Sequence, residues 1–108
     1  MLNNFILVGR LTSDPTIQEL EGKKKCVLNL AINRSFKNSE GFYDTDFIDC
    51  ILWNTIAERT VEYCRKGDVV GIKGRIQSRT VEIVENKKIK VMELVGEKVS
   101  FLSSKKEV

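Results

Sequence analysis

The sequence predicts an all-β domain with one helix, closed into a five-stranded Greek-key barrel. Three observations carry that expectation. Apolar and polar side chains alternate over five long runs, the two-residue period of strands with one buried face. After Trp53 the period changes once to that of a helix, and the strand period then resumes. Glycines interrupt the runs, as at Gly9 and Gly74, where a sheet that closes on itself must bend. A length of 108 residues, 42% of them apolar and 31% charged, suits one soluble domain with one core.

The first strand is Asn3–Leu11, with Phe5, Leu7 and Gly9 on one side and Ile6, Val8 and Arg10 on the other. Thr12-Ser13-Asp14-Pro15 ends it with turn residues. Thr16–Leu20 is a short extended piece that Glu21-Gly22-Lys23 turns back. Lys25–Phe36 is a long strand with Leu28, Leu30 and Ile32 on one face. Its other face, Asn29, Ala31, Asn33 and Ser35, is smaller and more polar. Arg34 and Phe36 fall in phase with the apolar set but past the end of the core, where a twisted strand runs into solvent. The polar loop Lys37–Gly41 gathers Arg34, Phe36, Lys37, Phe42 and Tyr43 at one hairpin end.

Asp46–Trp53 is the strand around which the rest is organised. Ile48, Cys50 and Leu52 suit a core; Phe47, Asp49, Ile51 and Trp53 share the opposite face, which carries the chain's single Trp. Burying both faces needs an apolar layer on each side, so the aromatic face is expected to be a contact surface; the plain alternative has Trp53 filling a core. Thr55-Ile56-Ala57-Glu58 then fits a capping box. Ile56, Ala57, Thr60, Val61 and Cys64 form the helix's inner face, and Gly67 is its expected stop. In Val69–Arg79, Val70, Ile72, Gly74 and Ile76 point inward, while Val69, Gly71, Lys73, Arg75, Gln77 and Arg79 point outward. Glu85–Lys88 is a hairpin tip, Ile89–Val95 returns, and Val99–Leu102 is a last short strand. Residues 1–103 form the domain and 104–108 a short polar tail.

Composition narrows the function. A formal net charge of +3 permits a polyanionic partner without demanding one, so the placement of the cations matters more than their number. With no histidine, and no phosphate loop, nucleophile elbow or paired carboxylates, the sequence offers no catalytic constellation. Three cysteines at spacings that fit no metal pattern imply free thiols in a reducing compartment. No cofactor, no metal and no membrane partner are expected, and the protein is read as cytoplasmic. The outward row Lys73, Arg75 and Arg79, lying beside an aromatic strand face, reads as a groove that follows a charged backbone; for each cation singly, a solvated surface is the plain alternative.

An ordered set of residues resembles the bacterial-type single-stranded DNA-binding proteins over Met1 to about Leu102. It comprises Asn3, Ile6-Leu7-Val8-Gly9-Arg10-Leu11, Asp14-Pro15, Leu30-Ala31, Asn33-Arg34-Ser35-Phe36, Asp46-Phe47-Ile48-Asp49-Cys50 and Trp53. It continues through Ala57-Glu58, Tyr63, Arg65-Lys66-Gly67-Asp68, Val70, Gly74-Arg75-Ile76-Gln77, Arg79 and Glu93. The resemblance implies an OB-fold that coats single-stranded DNA without sequence preference in replication, recombination and repair, is nucleoid-associated and self-assembles, usually as a homotetramer, with a dimer as the lesser form. Phe36, Phe47 and Trp53 match the stacking positions; Arg34, Lys66, Lys73, Arg75 and Arg79 match phosphate contacts, and Arg10 is counted with them.

The chain also departs from that family. Val81 stands where another aromatic is common, and Asn4 where a basic residue is common. Asp49 puts a carboxylate on the proposed DNA face. Family members commonly continue to an acidic, apolar tip that recruits replication proteins; a chain ending at Lys105-Lys106-Glu107-Val108 implies no such recruitment. Two other classes stay open: a protein-interaction module whose aromatics meet a partner protein, and an oligosaccharide-binding barrel, for which Lys73 and Arg79 would have no role.

Overall fold

Alternation in the sequence becomes alternation of burial in the computed structural model, which describes residues 1–103. The elements are β1 (Phe5–Leu11), β2 (Gln18–Leu20), β3 (Lys23–Lys37), β4 (Tyr43–Trp53), α1 (Asn54–Tyr63), β5 (Val69–Val84) and β6 (Lys87–Ser103). The sheet order is β1-β5-β6-β4-β3-β2, and β1 also pairs with β3, so five strands close a ring. Two short seams complete the closure: Arg10↔Ala31 and Leu11↔Leu30 between β1 and β3, and a parallel contact at Ile51↔Val95 between β4 and β6.

Inside the ring, Cys26, Leu28, Leu30, Cys50, Leu52, Val70 and Ile72 are each at most 1% exposed. Ala57 and Thr60 of α1, and Cys64 just past its end, are buried on the same side. Burial of a Leu or Ile side chain contributes about 1.5–3 kcal/mol, so this one cluster dominates the favourable side of folding. Two glycines are required by close approach of neighbouring elements. A Cβ on Gly74 would stand 1.9 Å from the Val95 carbonyl oxygen, and one on Gly96 would stand 2.5 Å from Leu52 Cδ2.

Several local expectations are corrected. The last two predicted strands are one: β6 runs unbroken from Lys87 to Ser103. Its pairing with β5 slips between Lys73↔Lys98 and Gly74↔Gly96, which leaves Glu97 unopposed and bends the ribbon. Beyond the seam at Val95, β5 and β6 leave the barrel as a long two-stranded arm. Ile76 is therefore 38% exposed and not part of the inner row. The Asn3 amide clamps the place where the arm departs, donating to the Ile76 carbonyl (2.6 Å) and accepting from its N–H (2.9 Å).

At the helix, no side chain caps the N-terminus. Asn54 takes a left-handed φ of 54°, which places Thr55 inside the first turn. Glu58 instead pairs with Lys24 at 3.1 Å, and Asn54 Oδ1 accepts from the Lys24 backbone N–H. The helix stops at Tyr63, before Gly67, because Cys64 turns extended. Gly67, at φ 94°, donates its N–H to the Leu11 carbonyl and so ties the helix exit to β1. Ile51, expected on the outward contact face, is only 9% exposed; it pairs with β6 and lies in the cleft where β6 crosses β4. No helix among the described residues is long and apolar enough to cross a membrane. The tail over 104–108, and the expectation about an acidic tip that rests on it, lie outside the described residues.

Candidate nucleic-acid interface

The outer face of β3 and β4 is set by register. The pairs Lys25↔Trp53, Val27↔Ile51, Asn29↔Asp49 and Ala31↔Phe47 put those side chains on one surface, opposite the core. On this surface Phe47 is 66% exposed, and Phe36, at the far end of β3, is 65% exposed. Phe42 and Tyr43 are exposed beside them, with Lys37 Nζ 5.8 Å from the Tyr43 ring centre. At the other end Trp53 is half-buried, and Lys25 Nζ lies 5.6 Å from its ring centre. The two predicted stacking ends are thus unlike: Phe47 is open, whereas Trp53 shows part of its ring beneath a lysine.

Asp49, the carboxylate that would repel phosphate unless paired with a cation, is held by an amide. Asn29 Nδ2 donates to it at 2.8 Å, and the Thr12 hydroxyl donates to Asn29 Oδ1 at 2.8 Å. Above this row the arm closes a cleft of about 250 Å³, walled by Val27, Ile51 and Val91 and rimmed by Asp49, Arg79 and Glu93.

The predicted cations do not form one groove. Arg79 lines that cleft; its Nε donates to Glu93 at 2.5 Å, and Gln77 donates to the same carboxylate at 3.2 Å. Arg75 donates to Glu97 at 3.1 Å. Arg34 makes a two-pronged bond to Asp46, at 3.0 and 3.2 Å, with Asp44 at 3.8 Å. Lys73 is exposed in a different cleft, among Ile6, Val8, Lys98 and Leu102 on the β1 side of the barrel. Arg10 donates to the Gly67 carbonyl at 2.6 Å, and Lys66 is exposed, its backbone N–H held by Asp14. The outward row of β5 is real, but the strand curves: it carries Lys73 into the β1-side cleft and Arg79 into the one beside β4.

These pairings show in acidity. The hydrogen bond from Arg34 holds Asp46 below the usual carboxylate range, and that from Arg79, helped by Gln77, does the same for Glu93. The thiols move the other way. Burial pushes Cys50 up to about 12 and Cys64 up to about 11, and raises Cys26 as well, so none supplies a thiolate near neutral pH. Lys25, Asn29 and Glu93 were not singled out as site residues in the sequence. Their signal was the strand register, which sets each beside Trp53, Asp49 or Arg79.

A closed five-strand barrel, with a helix packed on its core and an aromatic outer face reached by an arm, is an OB-fold of the nucleic-acid-binding kind. The model of the single-strand binding protein family matches residues 2–102, and the chain belongs to that family. It is 39% identical to single-stranded DNA-binding protein 1 of Clostridium acetobutylicum, over 98% of each chain. It is 42% identical to single-stranded DNA-binding protein B of Bacillus subtilis, over 97% of this chain and 94% of that one. Among solved structures, the Plasmodium falciparum SSB complex with ssDNA aligns at a TM-score of 0.80, with 24% identity, over 95% of this chain and 96% of that one. A deletion mutant of the single-stranded DNA binding protein from Thermus aquaticus aligns at a TM-score of 0.78, with 25% identity, over 96% of this chain and 52% of that one.

Proposed function

We propose that the chain binds single-stranded DNA without sequence preference and protects it during replication, recombination and repair, with no catalytic step. The observation that carries this reading is Phe47, 66% exposed in the middle of a strand whose inward Cys50 and Leu52 are fully buried. An apolar ring left in solvent on a rigid strand suits stacking against a base, worth ~1–3 kcal/mol per base. Phe36 extends the platform at one end, and Trp53, with Lys25 over it, extends it at the other. Every base has a π-face, so sequence matters little, and a duplex, whose bases are already stacked on one another, competes poorly. Arg10, Arg34, Lys66, Lys73, Arg75 and Arg79 meet phosphates and release counterions, which makes binding fall with salt. Self-association, as a homotetramer or a dimer, uses the outer face of β1, where Ile6 and Val8 are 74% and 52% exposed beside Leu102. Several protomers would then hold one strand at several points. The protein works in the cytoplasm, on the nucleoid.

The test is titration with oligo-dT, followed by Trp53 fluorescence at two salt concentrations, with duplex as control. Quenching by the single strand that salt weakens and duplex does not reproduce supports the reading. A folded protein that shows no quenching and no salt-dependent binding overturns it in favour of a partner protein at the aromatic face.

A further inference from the structure

The cations assigned to phosphate divide sharply. Arg10, Lys66 and Lys73 have no carboxylate within ion-pair distance among the described residues. Arg75 and Arg79 each have one, Glu97 and Glu93, and Arg34 has two, Asp46 close by and Asp44 farther off. On the arm the arrangement repeats. Arg75 is opposite Val95 and bonds Glu97, two residues on; Arg79 is opposite Val91 and bonds Glu93, again two residues on. Each guanidinium is thereby turned along the ribbon toward a fixed internal anion. The Arg79 pair is the most enclosed: the Glu93 side chain is 14% exposed and also takes a bond from Gln77.

We infer that Glu93 and Asp46 restrain DNA affinity, by occupying the Arg79 and Arg34 guanidiniums that phosphate must otherwise take. The inference rests on the single-strand-binding reading above. A guanidinium has enough donors to serve a carboxylate and a phosphate together, but the local charge is already balanced, so a phosphate arriving there releases few counterions. Binding at these positions is an exchange of one anion for another, and the unpaired cations supply most of the electrostatic attraction. Both carboxylates are charged at neutral pH, and the bonds from their arginines lower their pKa further. Such a restraint suits a protein that must hold a strand and also give it up.

The experiment compares wild type, Glu93→Gln and Asp46→Asn by oligo-dT titration over a series of salt concentrations. Glu62→Gln, on the exposed side of α1, removes the same charge from a residue with no ion pair among the described residues. Glu93→Gln is expected to bind roughly two- to five-fold tighter at low salt, the range that exposed ion pairs span. Its plot of log affinity against log salt steepens by up to ~0.7, the increment for one more neutralised phosphate on a single strand. Asp46→Asn moves in the same direction by less, because Asp44 remains near Arg34. Glu62→Gln moves neither quantity. Unchanged or weaker binding by a folded Glu93→Gln, with Asp46→Asn likewise unchanged, overturns the restraint and makes both carboxylates supports that orient their arginines. An equal gain in Glu62→Gln overturns it in favour of net charge. Failure of wild type to bind oligo-dT removes the DNA reading and the restraint with it; salt-dependent wild-type binding without the gain removes the restraint alone.

Discussion

On the inner face of the β3–β4 hairpin, Cys26, Leu28, Leu30, Cys50 and Leu52 are each at most 1% exposed; on the outer face of the same hairpin Phe47 is 66% exposed. On β4, large apolar side chains stand on both faces. Ring closure decides between them, because the five strands turn one set toward each other and leave the other set to solvent. The outer face is buried where the arm crosses it, at Ile51, and open at Phe47. Stability and recognition therefore occupy opposite faces of one strand, and substitutions on the two faces of β4 should separate them.

The largest expected effect lies inward. Leu52→Ala removes a fully buried side chain that packs against Gly96, and it should cost ~2–5 kcal/mol of stability by urea unfolding. Oligo-dT affinity of the folded fraction should not change. A loss of affinity with full stability would break the division between the faces.

The next effect lies outward. Phe47→Ala should weaken oligo-dT binding by ~1–3 kcal/mol and leave the urea midpoint within about 0.5 kcal/mol of wild type. Phe47 tests this more cleanly than Trp53, whose half-burial beneath Lys25 mixes packing with recognition.

Cys50 sharpens the comparison through pH. Burial, which disfavours the thiolate, pushes its folded thiol up to about 12, well above the ordinary cysteine range. The unfolded chain therefore loses its proton first. The stability linked to this group is fully present below about pH 9 and is lost as pH rises toward about 12, with a slope of up to ~1.4 kcal/mol per pH unit. Cys50→Ala should unfold more easily throughout and lack that part of the alkaline slope, measured as the difference between two urea series from pH 8 to 10.5. Identical slopes would mean that the inner face is less dry than its exposure indicates.

The barrel, its strand faces and its aromatic surface were legible in the sequence because alternation is a local signal. Leu28, Leu30, Cys50 and Leu52 could be assigned inward, and Phe47 outward, from their neighbours alone. Features that depend on distant partners were not. The burial of Ile51 needs the arm to fold back across β4. The pairing of Arg79 with Glu93 needs the register of β5 on β6, and the division of the cation row needs the curvature of β5. The single strand β6 was read as two because its bulge at Glu97 sits where a Gly interrupts the apolar pattern.

The smallest expected effect concerns the helix end, where a local motif was outweighed. Thr55 and Glu58 have the spacing of a capping box, yet no side chain caps α1, and Glu58 reaches Lys24 on β3. A working Thr cap is worth ~1 kcal/mol or more when replaced by Ala, so Thr55→Ala distinguishes the arrangements. We expect a change within about 0.5 kcal/mol in urea unfolding, as for an exposed site without a special role. The helix is held instead by its inner face: Ala57 and Thr60, and Cys64 just past its end, are buried on the same side, and the Thr60 hydroxyl returns a bond to the Ile56 carbonyl at 2.8 Å. A cost near 1 kcal/mol for Thr55→Ala would show that the box forms in solution and that the exposed end of α1 shares in stability that the comparison assigns to the inner face alone.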